Sequence, residues 1–214
     1  MGAVSSLDWV GWHRDYEDPG SGLHRRLLVV QAAVRDALAA RRGACVRIVS
    51  VCAGQGHDLV GVLAAAGGDV RVEARLVELD PENVRLGRLR AEQAGIDGLE
   101  FVCEDASVTD AYEGAVPADL VLVCGVFGRI ADADVRRTIE MLPQLCAASA
   151  RVIWTRHRRA PDLTPSIRRW FAEAGFAERS FVSAGPDGFA VGVHELQAAP
   201  RPLTPGARLF TFTG

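Results

Sequence analysis

Two glycines in a short turn are the first residues in the sequence whose type and spacing point to chemistry. Gly54 and Gly56 follow the apolar run V-R-I-V-S-V-C-A and stand before a helix-forming segment that opens at about His57. Glycine adopts backbone angles that are closed to other residues, so a ligand can approach the main chain of such a turn closely. The free N–H groups at the start of a helix also favour ligand binding. The pattern predicts a nucleotide-type cofactor site.

Two carboxylates further along the chain have the spacing that would complete this site. Glu78 lies 24 residues after Gly54, at the end of a predicted strand, where a carboxylate can accept hydrogen bonds from both hydroxyls of a ribose. Asp105 follows the next predicted strand and is placed for the exocyclic amine of an adenine. Each has a purely structural alternative. Glu78 would cap a strand end, and Asp105 would cap the segment that begins at Ser107.

The elements that must position these residues form an alternating pattern. Apolar, β-branched runs predict strands at residues 46–52, 72–79, 99–103, 118–124 and 151–155. Between them, helices are predicted at about residues 58–66, 82–94 and 132–148. Asp80, Pro81 and Gly95 supply start and stop signals for the second helix. The alternation predicts an α/β fold with a doubly wound, mostly parallel sheet, helices on both faces, and a ligand beyond the carboxyl ends of the strands.

The last third of the sequence changes pattern. After Pro161, a short helix at 166–174 is followed by two strands at 176–183 and 189–196, and a hairpin-type connection joins the strands. We therefore expect the sheet to end in an antiparallel pair. The tail, residues 200–214, is expected to be extended and to dock through Phe210 and Phe212.

The first 42 residues are unusually aromatic near their start. The run W-V-G-W-H-R-D-Y precedes a predicted helix that has Ser21 as its N-cap and reaches about Arg41. The aromatic run is either a lid over the cofactor cleft or a packing segment. We expect residues 1–42 to form an N-terminal helical lid of the same domain, 43–199 the cofactor-binding domain, and 200–214 the tail.

Composition limits the function classes. The chain has 214 residues, a net charge of −3 and 49% hydrophobic residues, which fits one domain and gives no electrostatic footprint for nucleic acid. Five cysteines without a C-x-x-C pattern predict free thiols in a reducing compartment, and no metal site is expected. Residues 1–10 lack signal-peptide features, and no 18-residue apolar span occurs. We expect a cytoplasmic monomer or homodimer that acts on a small molecule without membrane partners.

Four motifs together resemble the class I S-adenosylmethionine-dependent methyltransferases of small-molecule type, over about residues 45–197. They are C-A-G-Q-G-H-D at 52–58, L-V-E-L-D-P-E-N-V at 76–84, F-V-C-E-D-A at 101–106 and A-D-L-V-L-V-C-G-V-F at 118–127. The resemblance implies a Rossmann-like sheet of seven strands with the last antiparallel, and S-adenosylmethionine as cofactor. It places the methionine moiety on the Gly54 turn, the ribose on Glu78, the adenine at Asp105 and Ala106, and the transferable methyl group facing residues 124–129.

The expected cofactor-binding residues cluster at the strand ends and in the N-terminal segment: Tyr16, Cys52, Ala53, Gly54, Gln55, Gly56, Asp58, Glu78, Leu79, Asp105, Ala106, Cys124 and Gly125. Members of the family usually carry an acidic residue and a further glycine where this chain has Ser50 and Cys52. The ammonium group of the cofactor is therefore expected to be held differently, with Asp58, Tyr16 or Arg25 taking part of that role.

Methyl transfer is an in-line displacement on an already activated sulfonium, so the protein mainly orients the reactants and excludes water. A general base is needed only when the acceptor carries a proton on the reacting atom. His13 and His157 are the candidate bases, and each has a surface histidine as its alternative.

Aromatic and basic residues are the candidates for binding the acceptor. Trp12 and Phe127 would shape a flat apolar pocket or contact the sulfonium through cation–π attraction. Arg129 and Arg156 would bind a carboxylate or phosphate, or would lie in solvated loops.

The leading hypothesis is a methyltransferase that transfers the methyl group of S-adenosylmethionine to nitrogen, oxygen or carbon of a small-molecule acceptor. One alternative is a nicotinamide-dependent reductase, which is disfavoured because Leu59 stands where a dinucleotide fold has its third glycine. A second alternative is a non-catalytic protein that binds S-adenosylmethionine.

Overall fold

A computed structural model describes residues 13–41, 43–66, 70–185 and 188–213. Its centre is a seven-stranded sheet in the order β3-β2-β1-β4-β5-β7-β6. The strands are β1 (Cys45–Val51), β2 (Arg71–Glu78), β3 (Leu99–Cys103), β4 (Ala118–Val123), β5 (Cys146–His157), β6 (Phe176–Ser183) and β7 (Phe189–Leu196). β7 is antiparallel to both of its neighbours, and the other pairs are parallel. The predicted sheet with an antiparallel last strand is confirmed.

Within the described residues, five α-helices cover the two faces of the sheet. They are α1 (Gly22–Ala39), α2 (His57–Ala66), α3 (Pro81–Gln93), α4 (Asp132–Met141) and α5 (Thr164–Glu173). Successive side chains of a strand point to opposite faces, so the sheet carries two separate cores. One core joins α1, α2 and α3 to the side chains of Ile48 and Leu122, and the other joins α4 and α5 to those of Val49 and Val123.

The predicted helix at 132–148 is wrong in its second half. α4 ends at Met141, a 3-10 helix follows at Leu142–Gln144, and β5 begins at Cys146 instead of residue 151. Pro143 lacks the N–H group that an α-helix would need, and the tighter turn lets the chain enter the sheet early. The residues from 146 onward are apolar enough for either element, so hydrophobic spacing alone did not separate them.

The predicted N-caps are confirmed. The Ser21 side chain accepts a hydrogen bond from the His24 N–H at 2.9 Å. Asp80 Oδ1 accepts hydrogen bonds from the Glu82 and Asn83 N–H groups at 2.8 and 3.1 Å. These contacts satisfy N–H groups that the first turn of a helix leaves free. Through Asp80, the start of α3 is fixed directly beyond the end of β2.

The segment before α1 forms a 3-10 helix at His13–Tyr16 that is tied to α1. The Ser21 hydroxyl donates to the Asp15 carbonyl, and His24 Nδ1 lies 2.6 Å from the Tyr16 carbonyl oxygen. Trp12 lies outside the described residues, as does the side chain of His13. The lid role of residues 1–42 therefore remains a prediction.

The tail after β7 follows the carboxyl edge of the sheet, and we call residues 204–213 the C-terminal strap. Its backbone forms isolated bridges from Arg208 to Val108 and from Phe212 to Ile130. Phe210 is fully buried in the core beside α4, as expected, whereas Phe212 is 46% exposed. Among the described residues, no helix has the length and apolarity needed to cross a bilayer.

Candidate functional site

A cavity of about 470 Å³ lies at the carboxyl ends of β1, β2, β3 and β4. It brings together all of the predicted cofactor-binding residues except Gln55 and Gly56. The predicted residues that line it are Tyr16, Cys52, Ala53, Gly54, Asp58, Glu78, Leu79, Asp105, Ala106, Cys124 and Gly125. Arg129, expected in the acceptor site, also lines it.

The glycine turn has the geometry that its residues predict. Gly54 and Gly56 have positive φ angles of 55° and 73°, and α2 begins directly after them. A Cβ atom added to Gly56 would lie 2.9 Å from the Phe101 ring, so this glycine is also required by packing. Gly56 thus packs against the core, while Gly54 and Ala53 line the cavity.

Glu78 connects the turn after β1 to the turn after β2. Its Oε2 accepts a hydrogen bond from the Gly54 N–H at 2.8 Å, and its Oε1 accepts one from the Asp80 N–H at 2.9 Å. Burial raises the pKa of Glu78, and these two hydrogen bonds oppose that rise. A carboxylate oxygen can accept more than one hydrogen bond, so the fixed carboxylate retains capacity for hydroxyl groups in the cavity.

Asp105 caps the loop after β3 and also lines the cavity. Its Oδ1 accepts a hydrogen bond from the Ser107 N–H at 2.9 Å. Arg208 of the C-terminal strap lies 3.4 Å from Oδ2. Partial burial raises the pKa of Asp105, but the hydrogen bonds from Ser107 and the charge of Arg208 outweigh it and hold the pKa below its ordinary value.

Cys52 occupies a backbone conformation that normally favours glycine. Its φ angle is 54°, which explains in physical terms why a glycine is expected at this position. Its thiol lines the cavity. Burial and the negative charges of Glu78 and Asp105 raise the pKa of this thiol, so it stays protonated. Ser50 is only 5% exposed, does not line the cavity and brings no charge to it.

One wall of the cavity joins the N-terminal segment to the start of α2. The Tyr16 ring stacks on the His57 ring with 4.9 Å between centroids, and the Tyr16 hydroxyl accepts a hydrogen bond from Arg26 at 2.7 Å. Asp58 lies beside this group. Burial raises the pKa of the Asp58 carboxyl, and the positive charge of Arg26 opposes the rise. Burial and the charge of Asp58 raise the pKa of the Cys124 thiol.

The opposite wall is formed by the loop after β4 and the C-terminal strap. Phe212 and Arg129 both line the cavity. The Arg129 carbonyl accepts hydrogen bonds from the Thr213 N–H and hydroxyl at 3.1 and 3.0 Å, and the Thr211 N–H donates to Asp134 Oδ2 at 2.8 Å. The strap is thus attached on both sides of Phe212, which fixes the position of this partly exposed ring.

Three residues expected in the acceptor or catalytic site do not line this cavity. Phe127 is fully buried and packs against Trp154 at 6.1 Å between centroids, which corrects the expectation that its ring shapes an acceptor pocket. Arg156 donates to the Phe127 carbonyl and lies 3.4 Å from Asp132, so it ties β5 to the loop after β4 and does not line the cavity. His157 packs against Gly128 and likewise does not line it.

The surroundings of His157 favour its neutral form. Burial and the neighbouring charges of Arg156 and Arg159 lower its pKa. The other predicted base, His13, begins the 3-10 helix, but its side chain lies outside the described part of the chain.

Sequence reasoning missed several cavity residues. The predicted set omits Asp80 and Asn83 at the start of α3, Phe212 of the strap and His57 at the start of α2. The motif around Asp80 contained a usable signal, because a helix start beyond β2 faces the same edge as Glu78. No local signal indicated that Phe212 lines the cavity, because its position depends on the path of the tail. Among the described residues, no group of three or more His, Cys, Asp or Glu side chains is arranged to hold a metal ion.

Gln55 lies beneath the cavity floor rather than on its surface. It is 5% exposed, its side-chain nitrogen donates to Asn83 Oδ1 at 3.1 Å, and its Oε1 accepts from Arg90 at 3.3 Å. Gln55 therefore links the glycine turn to α3 and orients Asn83 from below.

Comparisons with known proteins agree with this geometry. Residues 5–171 match the model of a protein family described as "Putative methyltransferase". No functionally curated protein sequence matches the chain. Among solved structures, magnesium protoporphyrin IX methyltransferase from Synechocystis PCC 6803 with bound SAM has 15% sequence identity and a TM-score of 0.69, over 90% of this chain and 92% of that one. The same enzyme with bound SAH has a TM-score of 0.70 at 14% identity, over 90% and 95% of the two chains.

Two further solved structures share the fold. An O-methyltransferase family protein from Burkholderia thailandensis has 18% identity and a TM-score of 0.64, over 81% of this chain and 55% of that one. A ribosomal protein methylase from Lactobacillus delbrueckii subsp. bulgaricus has 14% identity and a TM-score of 0.57, over 80% of each chain. At these identities the likeness concerns the fold.

Proposed function

The chain belongs to this methyltransferase family, and we propose that it transfers a methyl group from S-adenosylmethionine to nitrogen, oxygen or carbon of a small-molecule acceptor. The observation that carries the proposal is the cavity in which the Gly54 turn, Glu78 and Asp105 meet. These are the positions that the family resemblance gives to the methionine, ribose and adenine parts of the cofactor. The magnesium protoporphyrin IX methyltransferase structures, which contain SAM and SAH, share this fold and support the choice of cofactor.

The residues of the cavity fit the chemical groups of that cofactor. Glu78 is held by two backbone N–H groups and can accept hydrogen bonds from ribose hydroxyls. Asp105 is held ionised and can accept one from an adenine amine. The Gly54 turn exposes backbone without a side chain, so the methionine part can approach it closely.

S-adenosylmethionine supplies an activated methyl group when it is bound. The protein's part is to orient the acceptor and to keep water out. Tyr16 and Phe212 place aromatic surface on opposite walls of the cavity and reduce its access to water. The raised pKa values of the Cys52 and Cys124 thiols keep both groups neutral, so neither competes as a nucleophile for the methyl group.

His57 is the candidate general base within the described part of the cavity. Its ring lines the cavity, and stacking on Tyr16 fixes its orientation. Its Nε2 is buried, so Nδ1 is the nitrogen that would take a proton from a phenol, an ammonium or another protonated acceptor. An acceptor without such a proton would need no base.

The small-molecule character of the acceptor rests on charge and on the cavity. A net charge of −3 gives the chain no general attraction for nucleic acid. Arg129 and Phe212 adjoin the strand end where the transferable methyl group is expected, so a flat acceptor with an anionic group fits this wall. Five cysteines without a C-x-x-C pattern favour a reducing, cytoplasmic location, and we propose a monomer or a homodimer.

Calorimetric titration with S-adenosylmethionine, S-adenosylhomocysteine and NADPH tests the cofactor. We expect saturable binding of the first two and none of NADPH. Binding of NADPH alone would overturn the proposal in favour of a reductase. Transfer of a labelled methyl group to a panel of phenols, amines and carboxylic acids tests turnover, and tight cofactor binding without any transfer would identify a non-catalytic binding protein.

A further inference from the structure

We propose that Asp58 binds the ammonium group of the cofactor's methionine portion. This inference rests on the proposed function and assigns one residue of the site to one charged group of the ligand. An ammonium group taken from water into a partly closed cavity needs an anionic or carbonyl partner. Ser50 offers no charge and does not reach the cavity.

Among the described residues, four carboxylates line the cavity, and three of them have backbone partners. Glu78 accepts hydrogen bonds from two N–H groups, Asp80 caps α3, and Asp105 caps its own loop and lies 3.4 Å from Arg208. Within the described residues, Asp58 forms no ion pair within 4.0 Å. The Cys124 thiol, a weak hydrogen-bond donor, also lowers the pKa of Asp58. Asp58 is therefore the cavity carboxylate with the most capacity left for a ligand cation.

The position of Asp58 agrees with this role. It is the second residue of α2, directly after the glycine turn, and it lines the cavity together with Gly54. Its thiol neighbour, Cys124, stands at the end of β4. Asp58 thus lies between the turn proposed for the methionine portion and the strand end proposed for the methyl group.

The electrostatic surroundings also favour a cationic ligand group. A desolvated carboxylate is costly unless a positive charge compensates it. Arg26 attracts Asp58, but its guanidinium also donates to the Tyr16 hydroxyl at 2.7 Å. A ligand ammonium would add a second positive charge next to Asp58 and would hold the carboxyl in its ionised form.

Two ligands that differ by the amino-acid portion test the assignment. S-adenosylhomocysteine carries the ammonium group, and 5′-methylthioadenosine lacks it. We expect Asp58→Asn to lower the affinity for S-adenosylhomocysteine roughly 10- to 100-fold in calorimetric titration, the range of a lost hydrogen bond to a charged group. The affinity for 5′-methylthioadenosine should change less than about twofold, because this ligand has no group for Asp58 to bind.

Asp105→Asn is the matched control, because it makes the same chemical change at the other end of the cavity. It should lower the affinity for both ligands alike. If Asp58→Asn lowered the affinity for both ligands equally, or lowered neither, the assignment would be overturned while the proposed function stayed intact. Failure of the unaltered protein to bind S-adenosylhomocysteine would instead overturn the proposed function. Thermal melting checks folding, and Asp58→Glu, which keeps the charge, should show a smaller loss that is again confined to S-adenosylhomocysteine.

Discussion

At the scale of single residues, Glu78 has both a structural and a ligand-binding part. Its carboxylate fixes the Gly54 and Asp80 backbones and also lines the cavity. We expect Glu78→Ala to weaken the binding of S-adenosylhomocysteine by ~1 to 3 kcal/mol, the scale of a lost hydrogen bond to a charged group. It should also lower the free energy of unfolding by ~1 to 3 kcal/mol, because two backbone N–H groups lose their acceptor.

Glu73→Ala on the same strand is a suitable control, because Glu73 is 68% exposed and its partner Arg47 lies 3.8 Å away at the surface. Calorimetric titration and urea unfolding of both variants separate the two effects. If Glu78→Ala lowered the stability but left the ligand affinity unchanged, Glu78 would have a structural role only.

Cys52 illustrates how a backbone angle selects among side chains. A β-branched residue at a φ angle of 54° is strongly disfavoured, whereas glycine adopts this angle readily. We expect Cys52→Val to lower the free energy of unfolding by ~1 to 3 kcal/mol through local strain. Cys52→Gly should change it by less than about 1 kcal/mol, because relief of strain offsets the lost side chain and the greater freedom of the unfolded chain. Urea unfolding of the two variants checks this order, and equal stabilities would show that the angle relaxes without cost.

Residue types at strand ends could be predicted better than the directions of individual side chains. Gly54, Glu78 and Asp105 were placed at one edge because parallel strands end together. The same argument put Phe127 beside them, yet its ring is buried and Phe212 lines the cavity instead. Beyond the end of a strand, side chains no longer alternate between the two faces of the sheet. The direction of a loop side chain can therefore not be predicted from the sequence pattern.

At the scale of elements, β7 carries a buried histidine that makes the edge of the sheet sensitive to acid. The indole N–H of Trp154 on β5 donates to His194 Nδ1 at 3.1 Å, and Phe171 of α5 stacks on the imidazole at 4.2 Å. Glu178 Oε2 on β6 lies 3.6 Å from His194 Nε2. Burial lowers the pKa of His194 to about 4, although the charge of Glu178 opposes this shift.

A histidine whose pKa is lowered in the folded state binds fewer protons there than in the unfolded state. The stability that His194 contributes is therefore complete above its unfolded pKa of about 6.5 and is lost as the pH falls from there towards 4. The loss reaches up to about 3 kcal/mol. His194→Asn keeps an acceptor for the Trp154 indole, because Oδ1 of Asn takes the place of Nδ1, but it does not titrate. The free energy of unfolding should therefore fall less steeply in urea titrations between pH 6.5 and 4. An unchanged slope would place the acid sensitivity elsewhere.

The order of the elements could be predicted because each strand is a short apolar run with a turn signal at its end. The junction of α4 and β5 could not, since the residues around 142–150 suit a helix or a strand and only the position of Pro143 decides between them. The path of the C-terminal strap could not be predicted from the sequence either. Its attachment uses contacts such as that of Arg208 with Ser107, 101 residues apart in the chain, and no local pattern encodes such a pair.

At the scale of the whole molecule, the segments before α1 and after β7 approach the same cavity from opposite sides. Tyr16 comes from the first of these segments and Phe212 from the second, and both line the cavity. The segment before α1 is attached to α1, and the strap is attached to the loops after β3 and β4. A ligand in the cavity would therefore contact parts of the chain that are almost 200 residues apart.

This arrangement predicts where ligand binding slows amide hydrogen exchange. Saturating S-adenosylhomocysteine should slow exchange at residues 13–17 and 208–213 as well as at the glycine turn, because a bound ligand restrains the segments that contact it and local opening becomes rarer. β6, at the far edge of the sheet, serves as the internal control and should exchange at the same rate with and without the ligand. Mass spectrometry of peptides from the free and the saturated protein gives the comparison. If the slowing were confined to residues 52–58 and 78–80, the cavity would bind its ligand through the strand ends alone, and neither outer segment would take part in closing it.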